Sequence, residues 1–370
     1  MILLSTIIKL FEAELLAQYQ DSLLPSHRKA LAAMADCRTA ASAAMLARCT
    51  DCDHQSLVPH SCGHRRCPHC QHHESQQWLE RQLQKLVPGQ YFLVTFTLPP
   101  AFRALAFAQQ STLYTLMIQC AWQTVHSFAH NDKKLQGTPG AIAVLHTHSR
   151  PLDYHPHVHL VVPAAAVDAK NRLWRTKKSK GKRPYLFNQK ALAKVFRAKL
   201  LAAITGEGLA LPNGYARKWV VDCKCVGSGE KALVYLGRYL YRGVIREKDI
   251  LACENGQVTF RYKNAKSKRT ETRTVSGAKF LWLILQHVLP KGFRRARNFG
   301  FLHPNSKRLI AVLQYLLGLD PKRALAWIKP RPRIACPCCG GDMKIVKTRI
   351  VPSPSGSPPV PIGDAAAAAM

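Results

Sequence analysis

The spacing of apolar residues along the chain predicts an alternation of helices and strands. Leu, Ile and Ala recur at helical intervals over residues 1–36, with a break at Pro25. Runs rich in β-branched and aromatic residues predict strands at 91–98, 142–148 and 157–163. The short connection between the last two favours an antiparallel hairpin. The pattern therefore predicts an α+β fold, in which helices flank a central antiparallel sheet.

The same periodicities continue toward the carboxyl terminus. The remaining predicted helices cover 101–130, 190–204, 230–245, 278–289 and 305–317, and the remaining strands cover 217–226 and 258–262. Residues 170–183 are basic and contain Gly and Ser, which is typical of a loop. Residues 351–370 are rich in Pro and Ser and then in Ala, so we expect a disordered tail.

Charge narrows the class of partner. The chain has 54 Lys and Arg against 21 Asp and Glu, a net charge of +33 spread over its length. Such a field favours a polyanion, and nucleic acid is the first candidate. No run approaches the ~18 apolar residues that cross a bilayer, and the apolar start lacks the basic residues of a signal peptide. We expect a cytoplasmic protein, in which 13 clustered cysteines indicate metal sites before disulfides.

A cysteine-rich stretch indicates a structural zinc site. Cys49, Cys52, Cys67 and Cys70 form two C-x2-C pairs, and such pairs let four thiolates bind one tetrahedral ion. Four thiolates leave no open position, so this zinc is expected to stabilise the fold rather than to act in catalysis. Further potential ligands lie nearby, namely Cys37, Cys62, His54, His60, His64 and His69.

Two other features of the cysteine pattern are less specific. Arg65 and Arg66 lie inside the cysteine-rich stretch and are candidates for phosphate contact, although a solvated loop explains them equally well. Cys336 and Cys339 form one further C-x2-C pair without a clear downstream partner. A second zinc site there would need cysteines from elsewhere, such as Cys223 and Cys225, and we expect ordinary thiols instead.

The third predicted strand carries a candidate catalytic metal site. His157 and His159 flank one valine, so both imidazoles project from the same face of the strand. Imidazoles arranged in this way can bind one metal ion. A third ligand is needed, and the neighbouring strand offers His146 and His148; the residues alone do not choose between them.

A tyrosine pair on a predicted helix supplies a candidate nucleophile. Tyr235 and Tyr239 are four residues apart and share a helix face, which Arg238 and Arg242 flank. Core packing is the usual explanation for aromatic residues at this spacing. A phenol between arginines is nevertheless a plausible nucleophile toward phosphorus, because the cations bind phosphate and stabilise phenolate.

Together, these segments resemble the His-hydrophobe-His single-strand endonucleases, which include rolling-circle replication initiators, relaxases and some transposases. Residues 49–71 are similar to the amino-terminal zinc module of the insertion sequence ninety-one family of rolling-circle transposases. That family's recurrent blocks are matched at 91–99, 144–147, 155–159, 235–239 and 287–302.

This resemblance implies a mechanism and a set of cofactors. His157, His159 and His146 would bind Mg²⁺ or Mn²⁺, and His146 is preferred because we expect the family to carry tryptophan at the position of His148. Tyr239 and Tyr235 would be the paired nucleophiles, attacking single-stranded DNA at transposon ends and target sites. The product would be a 5′-phosphotyrosine that is later rejoined. The protein would act at the nucleoid of a bacterial cytoplasm.

The resemblance also suggests a domain order: a helical segment (1–36), a zinc-binding module (37–88), a His-hydrophobe-His catalytic domain (89–303), a helical and cysteine-containing segment (304–350) and the tail. Three alternatives remain: a plasmid-type replication initiator, a non-catalytic zinc-module protein that binds nucleic acid, and a water-using metal hydrolase. The last needs several carboxylates, and only Asp153 lies near the histidines in sequence.

Overall fold

A computed structural model describes residues 2–39, 41–68, 70, 72–179, 184–241, 243–264, 267–327 and 333–350. The predicted tail lies outside these residues. The α-helices are α1 Leu4–Tyr19, α2 Pro25–Ala35, α3 His72–Leu83, α4 Arg103–Ala108, α5 Gln110–Asn131, α6 Gln189–Gly206, α7 Glu230–Tyr241, α8 Gly277–Leu285 and α9 Lys307–Leu316. The first seven strands are β1 Ala44–Cys49, β2 Gln55–Pro59, β3 Tyr91–Thr97, β4 Thr138–His148, β5 Tyr154–Pro163, β6 Ala165–Asp168 and β7 Leu173–Thr176. The later strands are β8 Val221–Cys225, β9 Ile250–Glu254, β10 Gln257–Lys263, β11 Thr270–Ser276, β12 Ala296–Gly300, β13 Ile334–Ala335 and β14 Asp342–Ile350.

The largest sheet has the strand order β7-β6-β4-β5-β3-β8. Strand β6 pairs with the first two residues of β4, and β12 pairs with residues 140–144 of the same strand. Strand β5 lies in its middle and is antiparallel to both neighbours. Side chains alternate across a strand, so this sheet has two differently lined faces. On one face Val158 and Leu160 pack in a core shared with α5 and α6. The opposite face is the one that the residues at 157, 159 and 161 share. The α+β prediction with a central antiparallel sheet and flanking helices is confirmed.

The N-terminal helices pack on the carboxyl-terminal half of the chain. Ile7, Ile8 and Leu15 of α1 are buried in one cluster with Phe280 of α8 and Phe260 of β10. The domain boundaries that the sequence suggested stay a prediction, and this packing crosses one of them.

A small four-stranded sheet, which we call the terminal ribbon, joins β1 and β2 to the carboxyl-terminal strands of the described chain in the order β13-β14-β1-β2. Strand β14 pairs antiparallel with β1, so that Cys49 lies opposite Met343. The sequence patterns did not predict these strands, because β14 is exposed along most of its length and carries almost no apolar alternation.

Other differences from the predicted elements are local. The predicted basic loop over 170–183 contains the short strand β7, and β9 and β11 flank β10 in a separate three-stranded sheet. Among the described helices, none is long and apolar enough to cross a membrane.

Candidate metal centre and tyrosine helix

Three histidines meet on two paired strands of the central sheet. His146 of β4 lies directly opposite His157 of β5 in the strand register, and His159 follows two residues later on the same face. One possible ligand atom from each of the three residues lies within 4.8 Å of the others. The ring centroid of His146 is 5.2 Å from that of His157 and 4.4 Å from that of His159. The structure thus brings together the three residues that were predicted to bind a catalytic cation.

Hydrogen bonds orient two of these rings. His157 Nδ1 donates to the carbonyl oxygen of His155 at 2.7 Å. Nδ1 of His159 is joined to Oγ1 of Thr95, on the neighbouring strand β3, at 2.8 Å. Both bonds occupy Nδ1 and leave Nε2 as the ligand atom, which is the usual support for a metal-binding imidazole.

Burial keeps the three imidazoles neutral. Desolvation lowers the pKa of His157 to about 4, although the hydrogen bond to the His155 carbonyl oxygen opposes this shift. The same cause lowers the pKa of His146 and of His159 well below the ordinary histidine value. A neutral imidazole has a free lone pair, so the group is ready to bind a cation at neutral pH. In the described part of the chain no carboxylate joins this group.

His148 does not belong to the group. An irregularity in the register of β4 and β5 separates it from His146. Its ring lies 5.1 Å from that of His287 instead, and burial lowers the pKa of His148 well below the usual value. The structure therefore chooses His146 where the sequence left two candidates.

The tyrosine helix α7 packs over the sheet face that carries the histidines. Leu233, Leu236 and Leu240 are buried in one cluster with Val144 and Val161. Each of these valines lies two residues from a histidine of the group, and therefore on the same face. The helix and the candidate metal centre thus share one side of the sheet.

The described part of α7 shows one of the two predicted nucleophiles. The side chain of Tyr235 is 42% exposed. Partial burial raises its pKa, and the nearby Arg150 guanidinium opposes that rise. The side chains of Tyr239 and Arg238, and all of Arg242, lie outside the described residues.

Arg295 connects the helix to the histidine strand. Its guanidinium is buried and donates to the carbonyl oxygen of Leu145 at 2.7 Å and to that of Leu240 at 3.2 Å. Leu145 precedes His146, and Leu240 lies in the last turn of α7. The Arg295 side chain therefore links the end of the tyrosine helix to the strand that carries His146.

The cysteines form two groups rather than the single site that was predicted. Cys67 and Cys70 lie with Cys37 and Cys62, whereas Cys49 and Cys52 lie with Cys336 and Cys339. This corrects the predicted set of four ligands, and also the expectation that the 336–339 pair consists of ordinary thiols. The physical reason is that a C-x2-C turn brings two thiols together locally but does not determine which other pair meets them.

Comparisons with known proteins agree with this geometry. A family model described as "Transposase zinc-binding domain" matches residues 7–98, and one described as "Putative transposase" matches residues 140–309. The chain is 33% identical over 319 residues to "Putative transposase y4qJ" of Sinorhizobium fredii (strain NBRC 101917 / NGR234), covering 81% of this chain and 80% of that protein.

The chain belongs to the insertion sequence ninety-one family of transposases. A second relative, "Transposase for insertion sequence element IS801" of Pseudomonas savastanoi pv. phaseolicola, is 28% identical over 76% of this chain and 70% of its own length. A solved structure, "The structure of TrwC complexed with a 27-mer DNA comprising the recognition hairpin and the cleavage site", shares 13% identity over 62% of this chain and 74% of that one. Its TM-score is 0.26. The prediction of a transposase, rather than a plasmid replication initiator, is confirmed.

The two candidate DNA-binding arginines of the transposase's zinc-binding module differ in solvent exposure. Arg65 is exposed, although one of its nitrogens donates to the carbonyl oxygen of Phe293 at 2.8 Å. Arg66 is only 2% exposed, and burial lowers the pKa of its guanidinium well below the usual value. The prediction that Arg66 contacts DNA is therefore corrected.

Sequence reasoning missed three groups of side chains at the candidate sites of the transposase. Thr95 and Arg295 hydrogen-bond to the strands that carry the histidines, and no motif marks them. Cys37 and Cys62 were noted only as additional ligands. The C-x2-C pair at 336–339 did carry a signal, which the absence of a neighbouring partner in sequence concealed.

Proposed function

We propose that this transposase nicks and rejoins single-stranded DNA at transposon ends through a covalent tyrosine intermediate. The observation that carries the proposal is the group of three neutral imidazoles, two buried and that of His157 half-buried, on the sheet face that α7 covers. A cation site and a helix with two tyrosines on one side of a sheet form a minimal set for metal-assisted attack on phosphorus.

His146, His157 and His159 would hold the divalent cation. Three nitrogen donors suit Mn²⁺ better than Mg²⁺, which prefers oxygen ligands. The orientation of His157 and His159 fits this role, because hydrogen bonds already occupy Nδ1 of each ring. When bound, such a cation supplies charge stabilisation at the scissile phosphate.

Tyr235 and Tyr239 would supply the nucleophile. The phenol loses its proton, its oxygen bonds to phosphorus, and the bond from phosphorus to the 3′ oxygen breaks. The 3′ oxygen takes up a proton, and the 5′ end stays attached to the tyrosine. Attack by a 3′ hydroxyl on this phosphotyrosine reverses the step and joins two strands, so no nucleotide cofactor is needed. Arg150 favours the phenolate of Tyr235, which is the direction that nucleophilic attack requires.

The excess of positive charge supports the binding of the DNA backbone. The net charge is +33, and Arg65, Arg238 and Arg242 are proposed to contact phosphates near the scissile bond. Single-stranded DNA is the proposed substrate because an unpaired backbone can enter a site beside a helix. Such a substrate places the proposed activity at the bacterial nucleoid.

The test is the formation of a covalent adduct. The full-length transposase is incubated with Mn²⁺ and a 5′-labelled single-stranded transposon end that carries a second label 3′ of the cleavage site. We expect a protein–DNA species that survives denaturation and retains only the second label. Mass spectrometry of the digested adduct should identify a peptide from α7.

Variants separate the proposal from its alternatives. Tyr235→Phe, Tyr239→Phe and the double variant should lower or abolish the adduct, whereas Tyr315→Phe, at a tyrosine that is 86% exposed on α9, should leave it unchanged. Cleavage without an adduct would indicate a water-using hydrolase. Salt-sensitive binding without cleavage would indicate a non-catalytic DNA-binding protein, and either outcome would overturn the proposal.

A further inference from the structure

Four cysteines lie close together in the terminal ribbon, two from the β1–β2 hairpin and two from the β13–β14 hairpin. Sγ of Cys49 lies 3.5 Å from Sγ of Cys339, and Sγ of Cys52 lies 3.7 Å from Sγ of Cys336. In a tetrahedral zinc site with Zn–S bonds of about 2.3 Å, the sulfur–sulfur separations are about 3.8 Å. The four thiols are thus already spaced close to the edges of that tetrahedron.

Both halves of the site have the same local architecture. Cys49 ends β1 and Cys52 lies in the turn that leads to β2, while Cys336 follows β13 and Cys339 lies in the turn that leads to β14. Each antiparallel hairpin therefore contributes one C-x2-C pair at its turn. Cys52 and Cys336 are 284 residues apart in sequence, and the pairing of β1 with β14 brings the two turns together.

The backbone around the thiols is arranged for thiolate sulfur. The Asp51 N–H donates to Sγ of Cys49 at 3.4 Å, across the turn between the two cysteines of that pair. The same contact recurs in the other cysteine group, where the His64 N–H donates to Sγ of Cys62 at 3.4 Å. Backbone donors that point at sulfur stabilise negative charge on it, which metal binding requires.

The terminal ribbon lacks the apolar core that would hold it without a metal. Apart from cysteines, its buried cluster consists of Ala47, Val58 and Met343. This is far less than a hydrophobic core needs, and small modules of this kind obtain their folding energy from an ion. Disulfides are not formed, since the sulfur separations greatly exceed the ~2.05 Å of an S–S bond.

We propose that Cys49, Cys52, Cys336 and Cys339 bind a second structural zinc ion, which fastens the carboxyl-terminal hairpin to the amino-terminal zinc-binding module. It is separate from the ion that Cys37, Cys62, Cys67 and Cys70 would bind. The site is independent of the nicking activity proposed above. It also assigns the 333–350 segment to the zinc-binding part of the molecule, although the proposed catalytic domain lies between the two segments in sequence.

The experiment measures zinc content in the full-length transposase, purified under reducing conditions with excess Zn²⁺ removed by gel filtration. Apart from any zinc held by the three histidines, which His157→Ala removes, wild type should contain two zinc ions per chain, and Cys339→Ser should contain one. Cys338→Ser is the matched control, because Cys338 is exposed and outside the group, and it should retain both ions. Cys62→Ser should lose the other ion, and the Cys62→Ser/Cys339→Ser double variant should contain none.

Limited proteolysis measures whether the carboxyl-terminal hairpin is held against the zinc-binding module. In Cys339→Ser a carboxyl-terminal fragment should be cut away faster than in wild type or Cys338→Ser. Cys339→His, which keeps a zinc ligand, should restore both the second ion and the protection, and this outcome excludes a general folding defect. One zinc ion in wild type, two in Cys339→Ser, or a Cys49–Cys339 disulfide in the reduced protein would each overturn the proposal.

Discussion

Replacing Thr95 with valine tests whether a neighbouring strand positions a metal ligand. Thr95 lies opposite His159 in the register of β3 and β5, and its Oγ1 is 2.8 Å from Nδ1 of that ring. When Nε2 is the ligand atom, Nδ1 carries the proton and donates to Thr95. Valine keeps the shape and β-branching of threonine but offers no acceptor.

The size of the effect follows from the burial of the ring. His159 is only 8% exposed, so in Thr95→Val its Nδ1–H has no ready replacement partner. A buried donor left unsatisfied costs about 1–3 kcal/mol. The ring can avoid this cost by moving its proton to Nε2, which then no longer binds a cation. We therefore expect Mn²⁺ affinity to fall by about 10–100-fold, equivalent to about 1.4–2.7 kcal/mol.

The assay is a Mn²⁺ titration followed by electron paramagnetic resonance or calorimetry. Thr97→Val is the matched control, because Thr97 lies two residues further along β3 on the same face, opposite His157. No hydrogen bond of the Thr97 side chain is found in the described part of the chain. The Kd of Thr97→Val for Mn²⁺ should therefore differ from that of wild type by no more than about twofold. Nicking by Thr95→Val should recover at saturating Mn²⁺. Equal affinities for wild type and Thr95→Val would refute the positioning role.

The remaining predictions concern stability and the nucleophile. Arg295→Met removes two buried hydrogen bonds to carbonyl oxygens and should lower the free energy of unfolding, measured in urea, by about 3 kcal/mol. The control variant Arg297→Met should lower it by about 1 kcal/mol. Equal losses in the two variants would contradict the linking role of Arg295. Burial lowers the pKa of His27 from 6.5 to about 4. The free energy of unfolding that the buried neutral ring supports is therefore fully present above pH 6.5 and is lost as the pH falls toward 4. His27→Asn should remove about 2 kcal/mol of the acid destabilisation seen in thermal melts, and an unaltered pH dependence would argue against a buried neutral ring. Burial raises the pKa of Tyr235 and Arg150 opposes the rise, so Arg150→Gln should move the pH profile of adduct formation toward higher pH; an unmoved profile would count against Tyr235 as the nucleophile.

The candidate metal centre could be predicted from sequence because its geometry is local. Two histidines with one residue between them share a strand face, and a short connection brings the neighbouring strand alongside. The family blocks then indicated the reaction class. The choice of His146 over His148 needed the actual register, since the irregularity between them turns the second ring toward His287.

The grouping of the cysteines could not be predicted in the same way. Spacing marked the C-x2-C pairs at 49–52 and 67–70 as candidate metal-binding turns, yet each turn supplies only half of a tetrahedral site. Whether Cys49 and Cys52 meet the pair at 67–70 or the pair at 336–339 depends on the pairing of β1 with β14. That pairing rests on backbone hydrogen bonds between mostly exposed residues, which leave little trace in a hydrophobic pattern.

The sequence by itself therefore determined the α+β class, the strand that carries His157 and His159, the tyrosine helix and the family. Only the tertiary structure decided which thiols lie together, that Arg66 is buried, and that Thr95 and Arg295 hydrogen-bond to the strands that carry the histidines. The physical reason is range: periodicity and turn spacing act over a few residues, whereas these contacts join segments that are distant in sequence.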